Sequence, residues 1–305
     1  MRIFRVILIF LISLPVYGIE KEQIRIALSF DDAPKSSGYL MTGMKRTTKL
    51  INMLGKHNIR TVFFCNTAKF SYQYGKERIR KYDSAGHIIA NHSHSHKHPE
   101  QLGAKNYIKD IYIAHNILKK FENFKQWYRY PYLNQGTKKS VRDSIWHALD
   151  DMNYKIGYCT VDNYEWYLNK LYGDAVKNHK NPDFETTKKM YIDHIMNSIY
   201  FYDDMAKNEL GYSPPHVLLL HESDLTSVML EPLLNAFKKH NISVIDPEKA
   251  YSDKMLSIRP ETMKNFQGRI AAHAAAQGYK GMIHQKSEST KYLDSLFIEY
   301  NVIAQ

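Results

Sequence analysis

From Ile24 to Ile245 the chain alternates short apolar runs of strand length with segments whose apolar residues recur at helical spacing. A strand that returns through a helix re-enters its sheet in the same direction, so this rhythm predicts an α/β fold with a mainly parallel sheet. Strands are predicted at 24–30, 61–65, 87–90, 127–131, 155–161, 216–220 and 242–245, and helices at about 45–56, 76–82, 141–149 and 230–240. Pro99 opens a further long helix with Leu102, Tyr107, Ile111, Ala114 and Leu118 along its apolar stripe. The segment 167–215 interrupts the rhythm, and within it 185–210 is predicted as a helix with a core face. Beyond Asp253 no strand is predicted, and 264–276 and 292–302 read as helices packing outside the main domain.

Seven strands alternating with helices predict a barrel-like sheet, in which chemistry collects at the carboxyl ends of the strands. Five of the seven predicted strands deliver ionisable groups there: Asp31 and Asp32, His92 and His96, Arg129, Asp162, and His221. Unrelated surface charges do not predict that convergence. The densest group is His92-Ser93-His94-Ser95-His96-Lys97-His98, and a cluster of neutral imidazoles is first of all a metal site. A helical turn pairs His92 with His96 and His94 with His98; an extended run puts His92, His94 and His96 on one face. Either set needs a carboxylate from elsewhere in the chain.

The first eighteen residues read as a signal peptide: Arg2 and Arg5 form a basic start, Val6 to Leu14 an apolar run, and Val16-Tyr17-Gly18 a small-residue cleavage site. That run is too short to span a bilayer comfortably and no later one approaches the length, so no membrane span is expected after removal of the signal. The expectation is an exported protein, periplasmic or secreted, beginning near Ile19. Ile19, not a cysteine, stands immediately after the cleavage site, which argues against a lipoprotein anchor. Lys and Arg number 42 against 31 acidic residues, but the charges are scattered and no nucleic-acid-binding signature accompanies them, so no nucleic-acid partner is expected. Cys65 and Cys159 each sit in a strand-like run and read as buried thiols rather than a disulfide.

Five motifs in order resemble the polysaccharide deacetylases of the NodB-homology type, carbohydrate esterase family four. They are Ser29-Phe30-Asp31-Asp32-Ala33-Pro34, His92-Ser93-x-x-His96, Arg129-Tyr130-Pro131-Tyr132, Asp162-x-x-x-Trp166 and Leu219-Leu220-His221. The resemblance covers roughly 24–251 and implies a distorted (β/α) barrel of about seven parallel strands, with the catalytic rim at their C-terminal ends. It implies one divalent metal ion on Asp32, His92 and His96, with zinc the first choice for two imidazoles and a carboxylate, and cobalt, nickel or manganese as alternatives. His94 and His98 then become bystanders, His98 standing at the start of the next helix.

The same resemblance makes Asp31 the general base, oriented by Arg129, and His221 the general acid, its pKa raised by Asp162. The backbone N–H of Tyr132 would help bind the oxyanion, and Trp166 would wall the pocket near the acetyl methyl group. Glu165 and Glu222, beside motif residues, read as substrate-side or structural rather than catalytic. Two departures from the family pattern stand out: Ala33 replaces the usual Gly, and the 59-residue gap from Asp162 to His221 is long. The implied organisation is a signal peptide at 1–18, a deacetylase domain at 19–253 with an insertion at about 167–215, and a C-terminal helical extension at 254–305. The implied activity is metal-dependent removal of N-acetyl groups from amino sugars of a glycan, releasing acetate. An O-acetyl carbohydrate esterase and a carbohydrate-binding protein without turnover are the competing readings.

Overall fold

A computed structural model describes residues 23–254, 259–263 and 266–303; the expected signal peptide at 1–18 lies outside them. Strand β1 (Ile24–Ala33) leads into helix α1 (Gly43–Lys56), whose first turn is capped by Thr42 Oγ1 accepting from Lys45 N. Then follow β2 (Val62–Cys65), α2 (Gly75–Ser84), β3 (Ile88–Asn91), α3 (Pro99–Leu118), β4 (Phe124–Tyr128), α4 (Lys139–Asp151) and the two-residue β5 (Lys155–Ile156). After them come α5 (Glu165–Lys177), α6 (Phe184–Leu210), β6 (His216–His221), α7 (Asp224–Lys239), β7 (Ile242–Val244) and the short α8 (Pro247–Ala250). The chain closes with α9 (Arg269–Ala276) and α10 (Thr290–Glu299).

The sheet runs β5-β4-β3-β2-β1-β6 with β7 paired to the start of β1, and every pairing is parallel. Beyond β5 the chain reaches the opposite edge: Val161 bridges Leu218 of β6, with Thr160 N donating to Val217 O and Leu219 N to Val161 O. The sheet therefore curls into a distorted half-barrel, as the alternation of strands and helices requires. Its middle strands are buried along their whole length, as expected of parallel strands covered by helices.

Two predicted strands are corrected. The fourth lies at Phe124–Tyr128 rather than 127–131, because Pro131 has no N–H for a ladder and instead starts a short 3-10 turn, Pro131–Leu133. The fifth is not continuous over 155–161; only its two ends pair, on opposite edges of the sheet. The helix predicted at 230–240 begins earlier, where Ser223 Oγ accepts from Thr226 N, and Pro232 lies inside it.

The long helix α6 ends at Gly211, whose φ of 80° suits glycine. It lays Met190, Ile195, Ile199, Tyr202 and Ala206 into the main core. The tail does not pack outside that core. Helix α9 docks on α6 and α10 on α5, so that Ile270, Ala274, Leu293, Phe297 and Val302 are buried in the same apolar cluster as the barrel strands. A second cluster, with Tyr107, Ile111, Tyr128, Ile145 and Leu149, fills the space between α3, α4 and β4. Cys65 and Cys159 are free, buried thiols. Among the described residues no helix is long and apolar enough to cross a membrane.

Candidate metal centre and active site

The strand ends converge on one cavity of about 400 Å³, lined among others by Asp31, Asp32, His92, His96, Tyr132, Asp162, Trp166 and His221. Eight of the nine residues singled out from the sequence therefore face one space. The ninth, Arg129, lies directly behind it.

At the end of β1 the ladder to β2 shifts between Phe30 and Ala33, and Asp32 takes a φ of 67°. Neighbours in a regular strand point to opposite faces; this irregularity lets Asp31 and Asp32 share the cavity. The left-handed residue is Asp32 and not Ala33, so alanine at the position where the family usually has glycine meets no steric penalty.

Asp31 Oδ1 accepts from Arg129 Nη1 at 2.7 Å. The other four guanidinium N–H groups go to Ser29 Oγ, Gly157 O, Tyr158 O and Tyr251 Oη, and the plane lies 4.0 Å over the Phe64 ring. All five donors of Arg129 are thereby used. Its ion pair with Asp31 raises its pKa although burial opposes this. The carboxylate it holds has one fixed orientation.

The histidine tract is a tight turn with Ser93 and His96 at positive φ, 67° and 56°. Asp110 accepts from His94 N and Ser95 N, and Ser93 Oγ accepts from His96 N, so the loop is pinned by its own backbone donors. His92 Nδ1–H donates to Arg129 O at 2.9 Å, which leaves Nε2 as the lone-pair nitrogen in the cavity. His96 Nε2 stands 3.2 Å from Asp32 Oδ1, and one donor atom from each of Asp32, His92 and His96 can be chosen so that all lie within 4.8 Å of one another. His94 bonds Thr67 Oγ1 instead, and His98 stacks on Tyr132 while its main-chain N–H is accepted by Gln101 Oε1 at the start of α3. Burial lowers the pKa of His92 and takes that of His96 to about 3, so both imidazoles are neutral as ligands must be. Asp32 is ionised: burial alone would raise its pKa, but the ammonium groups of Lys69 and Lys35 hold it well below the usual carboxylate range. Two neutral imidazoles and one carboxylate fit a divalent metal ion with coordination positions to spare.

His221 is the last residue of β6, and its partner corrects the sequence reading. Asp162 does not bond it; Asp162 Oδ1 accepts from Asn163 N, and burial together with Glu288 raises its pKa to about 7. The group on His221 is Glu165, fully buried at the first turn of α5. Its Oε2 meets His221 Nδ1 at 2.9 Å, while Oε1 accepts from His221 N at 2.6 Å and from Thr226 Oγ1 at 3.0 Å. Burial would lower the His221 pKa, but Glu165 outweighs it and the net shift is upward; reciprocally, His221 lowers the Glu165 pKa against the effect of burial. The Nδ1–H faces the carboxylate, so Nε2 is the nitrogen left to exchange a proton. Glu222 is structural: Arg78, Tyr82 and Lys35 N all bond it, fixing the loop after β1.

The cavity also takes in Lys35, Leu133, Tyr164, Leu219 and Phe266, which the sequence reading did not assign. Lys69, bonded to Asp32 at 2.8 Å, was missed as well. Lys35 stands next to Pro34 of the first motif and Tyr164 lies inside the fourth. Lys69 and Phe266 carry no sequence signal.

The family model described as polysaccharide deacetylase matches residues 18–157. A peptidoglycan-N-acetylglucosamine deacetylase of Bacillus cereus is 24% identical over 144 residues, and the chain spans 46% of that relative's length. A solved peptidoglycan N-acetylglucosamine deacetylase superposes with a TM-score of 0.51 at 20% identity, covering 75% of this chain and 89% of that one. A carbohydrate esterase family four pseudoenzyme from Bacillus anthracis gives 0.52 at 14% identity, covering 75% of this chain and 66% of that one. A mutant pseudoenzyme of that family with restored enzymatic activity gives 0.51 at 16% identity, over 75% and 68%. These likenesses establish the fold.

Proposed function

Residues 18–157 belong to the polysaccharide deacetylase family, the NodB-homology type of carbohydrate esterase family four, and from that premise we propose that the chain is a metal-dependent N-deacetylase of amino sugars in an acetylated glycan. The observation that carries this reading is that one cavity holds a fixed carboxylate, a three-residue ligand set and an imidazole backed by a buried carboxylate. A site built only to bind sugar has no use for both a positioned base and a positioned acid. The similarity to a peptidoglycan-N-acetylglucosamine deacetylase favours N-acetylglucosamine units as substrate. Zinc is the proposed ion, and the proposed location is outside the cytoplasm, after removal of 1–18.

Asp32, His92 and His96 would hold the ion, which when bound supplies Lewis acidity towards the acetyl carbonyl and the attacking water. Asp31, locked by Arg129, accepts the proton that the water gives up. As the C–N bond breaks, the departing amine needs a proton. His221 provides it from Nε2 while Glu165 holds Nδ1–H and stabilises the imidazolium. Trp166 and Leu219 line the cavity as apolar walls against which the acetyl methyl group can rest. An O-acetyl ester, with a better leaving group, needs the same base and depends less on His221.

Acetate release is to be measured over a panel of N- and O-acetylated glycans on protein stripped by chelator and reconstituted with zinc, cobalt, nickel or manganese. Release from N-acetylated sugars that disappears on stripping and returns with metal supports the proposal. Release only from O-acetyl esters transfers it to the esterase reading, and no release from any glycan by loaded protein contradicts it.

A further inference from the structure

One cavity residue comes from a part of the chain that no motif reaches. Phe266 belongs to the tail, yet it lines the same cavity as Tyr132 and Leu133. It stands edge-on to His98 at 6.1 Å, and His98 stacks on Tyr132 at 4.0 Å with 14° between the planes. Tyr132 in turn meets His96 edge-on at 4.6 Å, so a run of rings leads from a candidate metal ligand to the surface. Phe266 is 41% exposed and Tyr132 48%, which leaves ring surface open to a ligand.

The tail is tied down on both sides of Phe266. Before it, Arg259 pairs with Asp150 and lies 4.8 Å over Trp146, while Arg142 donates to Thr262 O and Met263 Sδ. After it, Arg269 N donates to Cys159 O at 2.6 Å and the guanidinium lies 4.6 Å over the Tyr158 ring. Between these anchors Phe266 takes a φ of 64°, a conformation that is costly for a bulky side chain and persists only where the surroundings impose it. The strained residue is the one that the tail contributes to the cavity lining.

We propose that Phe266, with Tyr132 backed by His98, is a stacking platform for the sugar ring next to the one being deacetylated, so that the tail selects units within a glycan chain over a free N-acetylated monosaccharide. A pyranose offers a face of C–H groups that an open aromatic ring can cover, removing apolar surface of both from water. The proposal rests on the deacetylase reading for the reaction, while the platform is a matter of binding and can be read separately.

The test compares metal-loaded wild type, Phe266→Ala and Phe266→Trp on N-acetylglucosamine from monomer to hexamer and on 4-nitrophenyl acetate, which has no sugar. In the wild type kcat/KM should rise with chain length. In Phe266→Ala the loss on oligomers, carried by KM, should exceed any loss on the small ester by about tenfold, the worth of roughly 1.4 kcal/mol of binding. Phe266→Trp should restore it. Equal losses on ester and oligomer, or a wild-type KM for oligomers in Phe266→Ala, overturn the platform. If wild type releases no acetate, the deacetylase reading falls instead. Calorimetric binding of the tetramer then decides the platform: a Kd about tenfold weaker in Phe266→Ala upholds it, and an unchanged Kd overturns it.

Discussion

Replacing Glu165 by glutamine isolates the contact that the sequence reading placed on another residue. The carboxylate is fully buried and accepts three hydrogen bonds, two of them from His221. Glutamine keeps the shape and one acceptor but removes the charge facing the imidazolium. Opposite unit charges about 4 Å apart at an effective dielectric of about 20 attract by about 4 kcal/mol. With the remaining amide contact offsetting part of this, a loss of about 3 kcal/mol is expected, or roughly a hundredfold in kcat/KM. The effect should depend on pH. Glu165 holds the His221 pKa above its ordinary value, so the protonated acid survives to higher pH in the wild type. Without that charge the acid form is lost earlier as pH rises, and the alkaline limb of the rate profile moves to lower pH. The assay is acetate release from an N-acetylglucosamine oligomer across pH 5 to 9, with urea unfolding as a check that the variant folds. Asp162→Asn should move the limb less than Glu165→Gln. An unmoved limb in Glu165→Gln, with a shifted one in Asp162→Asn, refutes the assignment of Glu165 to His221.

Arg129→Met strands the buried Asp31 charge and should destabilise the fold by about 3–5 kcal/mol in urea unfolding. Gly157→Ala would set a methyl group 2.4 Å from the Phe64 ring on which Arg129 rests; a stability loss of about 1–3 kcal/mol and lower acetate release are expected. His87 and His194 have folded-state pKa values lowered to about 4, His87 by burial and then Arg60, His194 by burial. The unfolded chain binds their protons first on acidification, so stability is full above the ordinary histidine value of about 6.5 and falls as pH drops from there to about 4. Each histidine contributes at most about 3 kcal/mol to that loss. His87 has no hydrogen-bond partner on either ring nitrogen among the described residues, so His87→Phe should flatten the acid side of the stability curve measured in urea at pH 7.5 and 5.

The rim of the barrel was readable in the sequence because parallel strands end where their apolar runs end, and the residue after each run is placed by the fold. Asp31, His92 and His221 follow from that rule, whereas Arg129 lies inside the strand predicted at 127–131 and reaches the rim because β4 ends at Tyr128. Which carboxylate reaches His221 did not follow. Asp162 and Glu165 are three residues apart in a turn, and the outcome depends on Asp162 bonding Asn163 N while α5 folds Glu165 back onto the end of β6. Asp31 and Asp32 were both expected at the rim, and the irregular end of β1 is what lets two neighbouring side chains reach one cavity. The tail shows a different limit. Its helical spacing marks apolar faces at Ile270 and Leu293 but not their partners, and Phe266 sits in no periodic pattern at all.

Asp31→Asn separates the carboxylate held by Arg129, as base, from the three-residue ligand set beside it. Wild type and variant, each loaded with divalent ion to a measured stoichiometry, are compared for acetate release from an N-acetylglucosamine oligomer. The variant should bind one ion per chain as the wild type does and release acetate at least about a hundredfold more slowly, the low end of what a positioned general base contributes. A variant that binds the ion and keeps the wild-type rate would rule out Asp31 as the base.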